Sequence, residues 1–348
     1  MSNYYTLKIK NVVQETKDTI TIHFKQPIFK KVKYKSGQFL TLIMMINGKK
    51  ERRSYSMSSA PNLDDTLAIT VKRVAGGLVS NYLNDHAKEG DSIEVMEPMG
   101  NFTLEPNKDL ARHIVLFGAG SGITPLMSIL KSTLFFEPKS IVSLLYGNRH
   151  EGSIIFRKQL DELKQKFGDR LNIVHSLTEP DSLWGGYKGR IDNVSALNFL
   201  NLVPKMPVTE YFMCGPLGMM DEVKQALQKL KVPANQIHFE SFTPAAPTAE
   251  KIASTKNLQD HIVTIVMNGV ETKINVPANK TILEAALDEG LDLPFSCQSG
   301  LCTACMCKKI SGEMIMTDGE GLSQSEIDKG FVLVCVGHPT SDNLVLEV

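Results

Sequence analysis

A chain of 348 residues that is 42% hydrophobic and 22% charged has material for two or three packed domains, and its balance excludes fibrous and disordered classes. Its net charge of zero argues against a nucleic-acid partner. No stretch approaches the roughly 20 apolar residues of a membrane span, and the opening MSNYYTLKIK lacks the apolar run of a secretory leader. The six cysteines are therefore expected in a reducing cytosol, where clustered thiols bind metal or do redox chemistry more often than they form disulfides.

Three styles of sequence follow one another. Residues 1–107 carry short alternating runs: YTLKIKNVV, TITIHF, GQFLTLIMMI, RRSYSMSS, TLAITVKRV and SIEVMEPM. Their β-branched content and period of two predict strands, with one helical segment at LVSNYLNDH. Six short strands in about a hundred residues predict a small antiparallel β-barrel. Over residues 108–243 strands and helices alternate, from HIVLFGAG and TPLMSILKSTLF to EYFMCG, LGMMDEVKQALQKL and QIHFES. This order predicts a doubly wound α/β sheet. Residues 244–258, rich in Pro, Ala, Thr and Lys, read as a linker. Residues 259–348 open with HIVTIVMNGVETKINV, two strands about an Asn268–Gly269 turn. The helix TILEAALDEG and further short strands follow, predicting an α+β β-grasp.

Charge is uneven along this order. The stretch 259–348 holds thirteen acidic and five basic residues, so it carries −8 and the remainder +8. Such asymmetry is either solvated surface charge or a means of steering a partner by complementary fields.

The glycine-rich turn after HIVLF holds Gly118, Gly120 and Gly122. It leaves room for a pyrophosphate at a helix start, with Thr124 as candidate N-cap and Pro125 in the first turn. Near the C-terminus, Cys297, Cys302 and Cys305 have the spacing C-x4-C-x2-C, and Cys335 follows alone. This is the plant-type [2Fe–2S] arrangement, whereas a four-cysteine zinc site usually shows two short pairs. Gly300 lets backbone approach inorganic sulfur. Cys307 is extra to the spacing and reads as a small core residue.

The cysteine spacing and strand order of 259–348 resemble a plant-type ferredoxin domain, which implies a one-electron carrier with a potential of about −400 mV. Arg53-Ser54-Tyr55-Ser56, then Gly76-Gly77-Leu78-Val79-Ser80, the glycine turn and Cys214-Gly215-Pro216 together resemble the ferredoxin–NADP reductase superfamily. That resemblance implies FAD, with Arg53 on its pyrophosphate, Tyr55 on the isoalloxazine and Ser56 near the flavin N5. Gly77, Leu78, Val79 and Ser80 would present backbone N–H groups to the pyrophosphate. Gly118, Gly120, Gly122 and Thr124 would bind NAD(P)H, and Cys214, Gly215 and Pro216 would line the nicotinamide end, Cys214 by shape. Taken alone, RRSYSMSS also reads as an edge strand facing solvent.

Glu240-Ser241-Phe242 resembles a reductase terminus in which the aromatic covers the flavin. Here the chain continues, so Phe242 is a flavin-covering or a core residue. Glu179, where NADP-dependent relatives carry a Ser-Arg pair, leans towards NADH, with Arg149 able to compensate.

Nicotinamide gives up electrons in pairs and a [2Fe–2S] cluster takes them singly, which assigns flavin the place between them. The domain order resembles the reductase components of multicomponent oxygenases. The YGNR and CTACMCK stretches resemble reductases serving a di-iron epoxidase of phenylacetyl-coenzyme A. The resemblance implies an oxygenase as acceptor. The alternatives are a reductase for another hydroxylase, desaturase or ring dioxygenase, and a non-catalytic iron–sulfur carrier or redox sensor.

Overall fold

The computed structural model describes residues 4–27, 31–242, 258–295, 297–317, 321–322 and 324–348. They form two compact units, one of Tyr4–Glu51 with Tyr55–Ser241, the other chiefly Phe242–Val348. The expected linker falls almost wholly outside the described residues.

The first unit begins with β1 (Tyr4–Thr16), β2 (Thr19–Lys25), β3 (Phe39–Ile46), β4 (Lys49–Ser56), β5 (Thr66–Lys72) and β6 (Ser92–Met96), with α1 (Leu78–His86) between the last two. They form one sheet in the order β4-β3-β6-β1-β2-β5. It curls into an antiparallel half-barrel, because Met57, just after β4, bridges Ile69 on the opposite edge strand. Period-two alternation sends Ile20, Ile22 and Phe24 of β2 and Leu67, Ile69 and Val71 of β5 into one core.

The parallel sheet comprises β7 (His113–Ala119), β8 (Ile141–Asn148), β9 (Leu171–Leu177), β10 (Tyr187–Lys188), β11 (Thr209–Cys214) and β12 (Ile237–Glu240), ordered β10-β9-β8-β7-β11-β12. The helices α2 (Ile123–Phe136) and α3 (Arg157–Phe167) pack on one face. The other is covered by α4 (Asn193–Leu202) and α5 (Leu217–Lys229). This is the doubly wound arrangement, with both faces buried and β7 read as a continuous apolar run. Strand order reverses between β7 and β11, the place where open α/β sheets bind ligands.

Two details differ from the sequence expectation. The helix expected from Ser153 begins only at Arg157, because Phe156 turns the chain through a left-handed conformation (φ 61°) after the buried Ile154 and Ile155. The two-residue edge strand β10 carries too little periodicity to be read in advance.

A buried ion network lies in the α/β part, where it meets the crossover from the half-barrel through the Asn107 N–H and the Glu105 carbonyl. Arg112 donates through Nε (3.1 Å) and Nη2 (2.7 Å) to the fully buried Glu137 carboxylate, and through Nη1 to Glu210. The Asn107 N–H and the Ser140 hydroxyl occupy the remaining capacity of Glu137, at 3.0 and 2.7 Å. A buried pair of this kind is stable because every lone pair is met.

The second unit contains β13 (His261–Met267), β14 (Val270–Val276), α6 (Ile282–Asp288), β15 (Met306–Ser311), β16 (Met314–Met316), α7 (Gln324–Asp328), β17 (Phe331–Leu333), β18 (Gly337–Pro339) and β19 (Leu344–Glu347). Its main sheet, β14-β13-β19-β15-β17, packs on α6, a β-grasp. Asn268 (φ 55°) and Gly269 (φ 78°) supply the two positive φ angles that a tight hairpin needs. A capping box between Thr281 and Glu284 starts α6, with the Glu284 N–H donating to Thr281 Oγ1 at 3.2 Å.

Candidate functional site

The glycine turn follows β7 at the strand-order reversal. Gly122 lies so close to β11 that a Cβ there would stand 1.9 Å from the Cys214 carbonyl oxygen, so only glycine allows this approach. Gly120 adopts φ 54°, and its carbonyl accepts the buried Tyr146 hydroxyl at 2.8 Å. The N-cap of α2 is Gly122, with no side-chain cap. Thr124, expected as N-cap, is instead inside the helix, and its hydroxyl donates back to the Ser121 carbonyl at 2.8 Å. The tight Gly122 contact moves the helix start ahead of it. Pro125 does fall in the first turn.

Cys214 ends β11 opposite both Gly118 of β7 and Glu240 of β12, and it is fully buried. Burial, and after it the Glu240 carboxylate, push its thiol well above the usual range, which suits packing and not nucleophilic chemistry. Gly215 sits against the Ala119 backbone, where a Cβ would approach the Ala119 nitrogen to 3.2 Å. Pro216 caps α5.

Ser56, at the end of β4 and buried, reaches this same place: its hydroxyl donates to Glu240 Oε2 at 3.0 Å. Burial pushes the Glu240 carboxyl up to about 8, partly countered by the Ser56 hydrogen bond, so it holds its proton at neutral pH. Ser56 from the half-barrel and Cys214 and Glu240 from the parallel sheet thus form one wall. Sequence reasoning missed Glu240 as a site residue. The signal was its place at the end of the last strand in Glu240-Ser241-Phe242, where the aromatic is the more conspicuous side chain. Phe242 is 44% exposed, so it is not a core residue.

Arg53 is exposed on β4 and donates through Nη1 to the Arg52 carbonyl at 2.6 Å; Tyr55 packs partly buried on the half-barrel core. Gly77 is the N-cap of α1, and its own N–H is engaged with the Val74 carbonyl at 2.9 Å. The Ser80 hydroxyl accepts the Val74 N–H at 3.1 Å and so locks the turn; Val79 is buried and Leu78 exposed. A cleft of about 870 Å³ lies between β1, β2 and β5 on one side and Lys131 of α2 and the start of α3 on the other, and none of Ser56, Cys214 and Glu240 lines it.

In the second unit, Cys302, Cys305 and Cys335 are buried and Cys297 half-buried. The thiols meet pairwise: Cys297 contacts Cys302 and Cys335, and Cys305 contacts Cys335. Hydrogen bonds from Cys302 and then Cys335 hold Cys297 far below its usual value. Left-handed Gln298 (φ 54°) and Gly300 (φ 73°) shape the loop, and the Ser299 N–H points at Cys297 Sγ, 3.4 Å away. Among the described residues no group of three or more His, Cys, Asp or Glu side chains is placed to hold a metal ion. Four gathered thiols with an inward-facing N–H fit a cluster with more than one metal. Cys307 lies in the core, and burial pushes its thiol up to about 12.

The family described as oxidoreductase FAD-binding domain matches residues 6–104, the oxidoreductase NAD-binding domain residues 116–225, and the 2Fe-2S iron-sulfur cluster binding domain residues 265–340. A component of the 1,2-phenylacetyl-CoA epoxidase of Escherichia coli (strain K12) is 33% identical over 100% of this chain and 98% of its own. The ferredoxin reductase component of 3-ketosteroid-9-alpha-monooxygenase from Rhodococcus rhodochrous is 37% identical, covering 98% and 96%. The solved phthalate dioxygenase reductase, described as a modular structure for electron transfer from pyridine nucleotides to [2Fe-2S], is 26% identical with a TM-score of 0.60, covering 99% and 98%. Among the described residues no helix is long and apolar enough to cross a membrane. With its three domains matched in order and its relatives aligned end to end, the chain belongs to the FAD- and [2Fe–2S]-dependent electron-transfer reductases that serve oxygenases.

Proposed function

We propose that this reductase takes electrons from NADH and delivers them to a di-iron epoxidase or monooxygenase of an aromatic acyl-coenzyme A, with phenylacetyl-coenzyme A the first candidate. The observation that carries the donor side is the wall of Ser56, Cys214 and Glu240 beside the glycine turn. When bound, FAD converts electron pairs to single electrons and the [2Fe–2S] cluster carries them one at a time. The chain's own residues position these groups. Arg53 offers a planar cation to a pyrophosphate, Tyr55 an aromatic face to the ring, and the start of α1 its N–H groups. Ser56 and the protonated Glu240 hold a proton where the nicotinamide and the ring would meet. Cys297, Cys302, Cys305 and Cys335 would supply the four thiolates that hold the cluster.

NADH preference rests on Glu179, whose carboxylate lies 3.9 Å from the Arg149 guanidinium. The cation that could receive a 2′-phosphate already faces a carboxylate. The end-to-end match to the epoxidase component supports the acceptor; the 37% identity to the steroid monooxygenase reductase favours, as a second reading, an oxygenase of another ring substrate.

Cys302→Ser tests the relay order. Transfer to a one-electron protein acceptor should fall by about 100-fold or more, while NADH-driven dye reduction at the flavin stays within about twofold. Loss of both in well-folded protein sinks the order. Adding the oxygenase components of each candidate system and following NADH consumption coupled to product separates the two acceptors.

A further inference from the structure

Asn148 is the last residue of β8, one strand from the glycine turn, and is only 8% exposed. Among the described residues, neither its Oδ1 nor its Nδ2 has a hydrogen-bond partner. Tyr146 and Asn148 are two residues apart and so share a face of the strand. The Tyr146 hydroxyl is bonded to the Gly120 carbonyl at 2.8 Å, so that face lies under the glycine turn. The Asn148 carboxamide lies within reach of the Tyr146 hydroxyl but outside hydrogen-bonding geometry with it. Burying a carboxamide with both ends unmet opposes folding, and a leucine of similar volume would pack there without that penalty.

The unmet pair defines what it would take. Oδ1 needs a donor and Nδ2 an acceptor. A pyrophosphate offers acceptors only, whereas a ribose hydroxyl both donates and accepts. Strand order decides which ribose. Cys214 ends β11 on one side of β7 and Asn148 ends β8 on the other. With the nicotinamide end at Cys214, the molecule crosses the glycine turn and brings its adenosine half to β8.

We propose that Asn148 is a positioning residue of the nucleotide site, hydrogen-bonding the adenosine ribose of the reduced nicotinamide dinucleotide. This rests on the reading that the glycine turn holds that dinucleotide. Asn148 touches no reacting atom, so its contribution belongs to binding and not to the chemical step.

The test is steady-state flavin-dependent dye reduction by the full-length holoenzyme, wild type against Asn148→Leu, with two donors: NADH and reduced nicotinamide mononucleotide, which lacks adenosine. The proposal expects KM for NADH to rise about tenfold with kcat within about twofold, the factor for one or two lost hydrogen bonds. It also expects kcat/KM for the mononucleotide to stay unchanged and Tm to hold or rise, since an apolar group replaces an unmet one. An unchanged KM for NADH, or an equal loss with both donors, overturns it. If the leucine variant does not fold, Asn148→Ser is read by the same two donors and the same criteria. A wild-type flavin that NADH fails to reduce refutes the nucleotide-site reading itself, before any variant is compared.

Discussion

At the scale of single residues, Glu240 has the most direct consequence. Its carboxyl titrates near 8 in the folded protein against an ordinary value of 4.5. Between those values the folded state keeps a proton that the unfolded chain has released, so stability falls as pH rises through that window and levels off above it. Glu240→Gln removes the titrating group. The variant should match wild type near pH 5 and exceed it near pH 8 by on the order of 4 kcal/mol, read as a growing gap in Tm across the range. Parallel Tm profiles would mean that the carboxyl is not held neutral. Arg53, Tyr55 and Ser56 stand together in one strand, and the sequence offers them as site residues through the family resemblance of that run. The partnership of Ser56 with Glu240 could not be read there, since 184 residues separate them and only the fold brings β4 and β12 together.

At the scale of elements, strands and helices were legible wherever periodicity was strong. β2, β5, α2 and the Asn268–Gly269 hairpin fall within a residue or two of expectation. Legibility failed where a tertiary contact overrode local preference. The start of α2 is set by the approach of Gly122 to Cys214, so an inviting Thr-Pro pair reads wrongly as the cap. The same contact makes Gly122→Ala informative. A methyl group 1.9 Å from a carbonyl oxygen forces two backbones apart, at about 3 kcal/mol. NADH-driven flavin reduction should be lost, while chemical reduction by dithionite persists in the folded fraction. Retention of wild-type KM for NADH in a stable variant would mean that the turn is looser than its geometry indicates.

At the scale of the whole molecule, the charge asymmetry separates the two ends of electron flow. The −8 carried by residues 259–348 belongs to the unit that holds the cluster thiols. Reduction of a basic one-electron acceptor such as cytochrome c should therefore slow by about tenfold between 50 and 500 mM salt, as steering is screened. Reduction of a neutral dye at the flavin should not change. Equal salt dependence of both would remove any role for the acidic surface.

The ion network around Arg112 also bears on how such reductases can be recombined. Glu137 is held by groups from before and after the crossover between half-barrel and sheet: the Asn107 amide on one side, Arg112 and Ser140 on the other. Severing the chain at that crossover, or splicing in a foreign half-barrel, disturbs the Asn107 amide, one of the four hydrogen bonds that meet the buried Glu137 carboxylate. Hybrids built from this scaffold are better cut beyond residue 241, where a different iron–sulfur module can be exchanged without disturbing that buried charge.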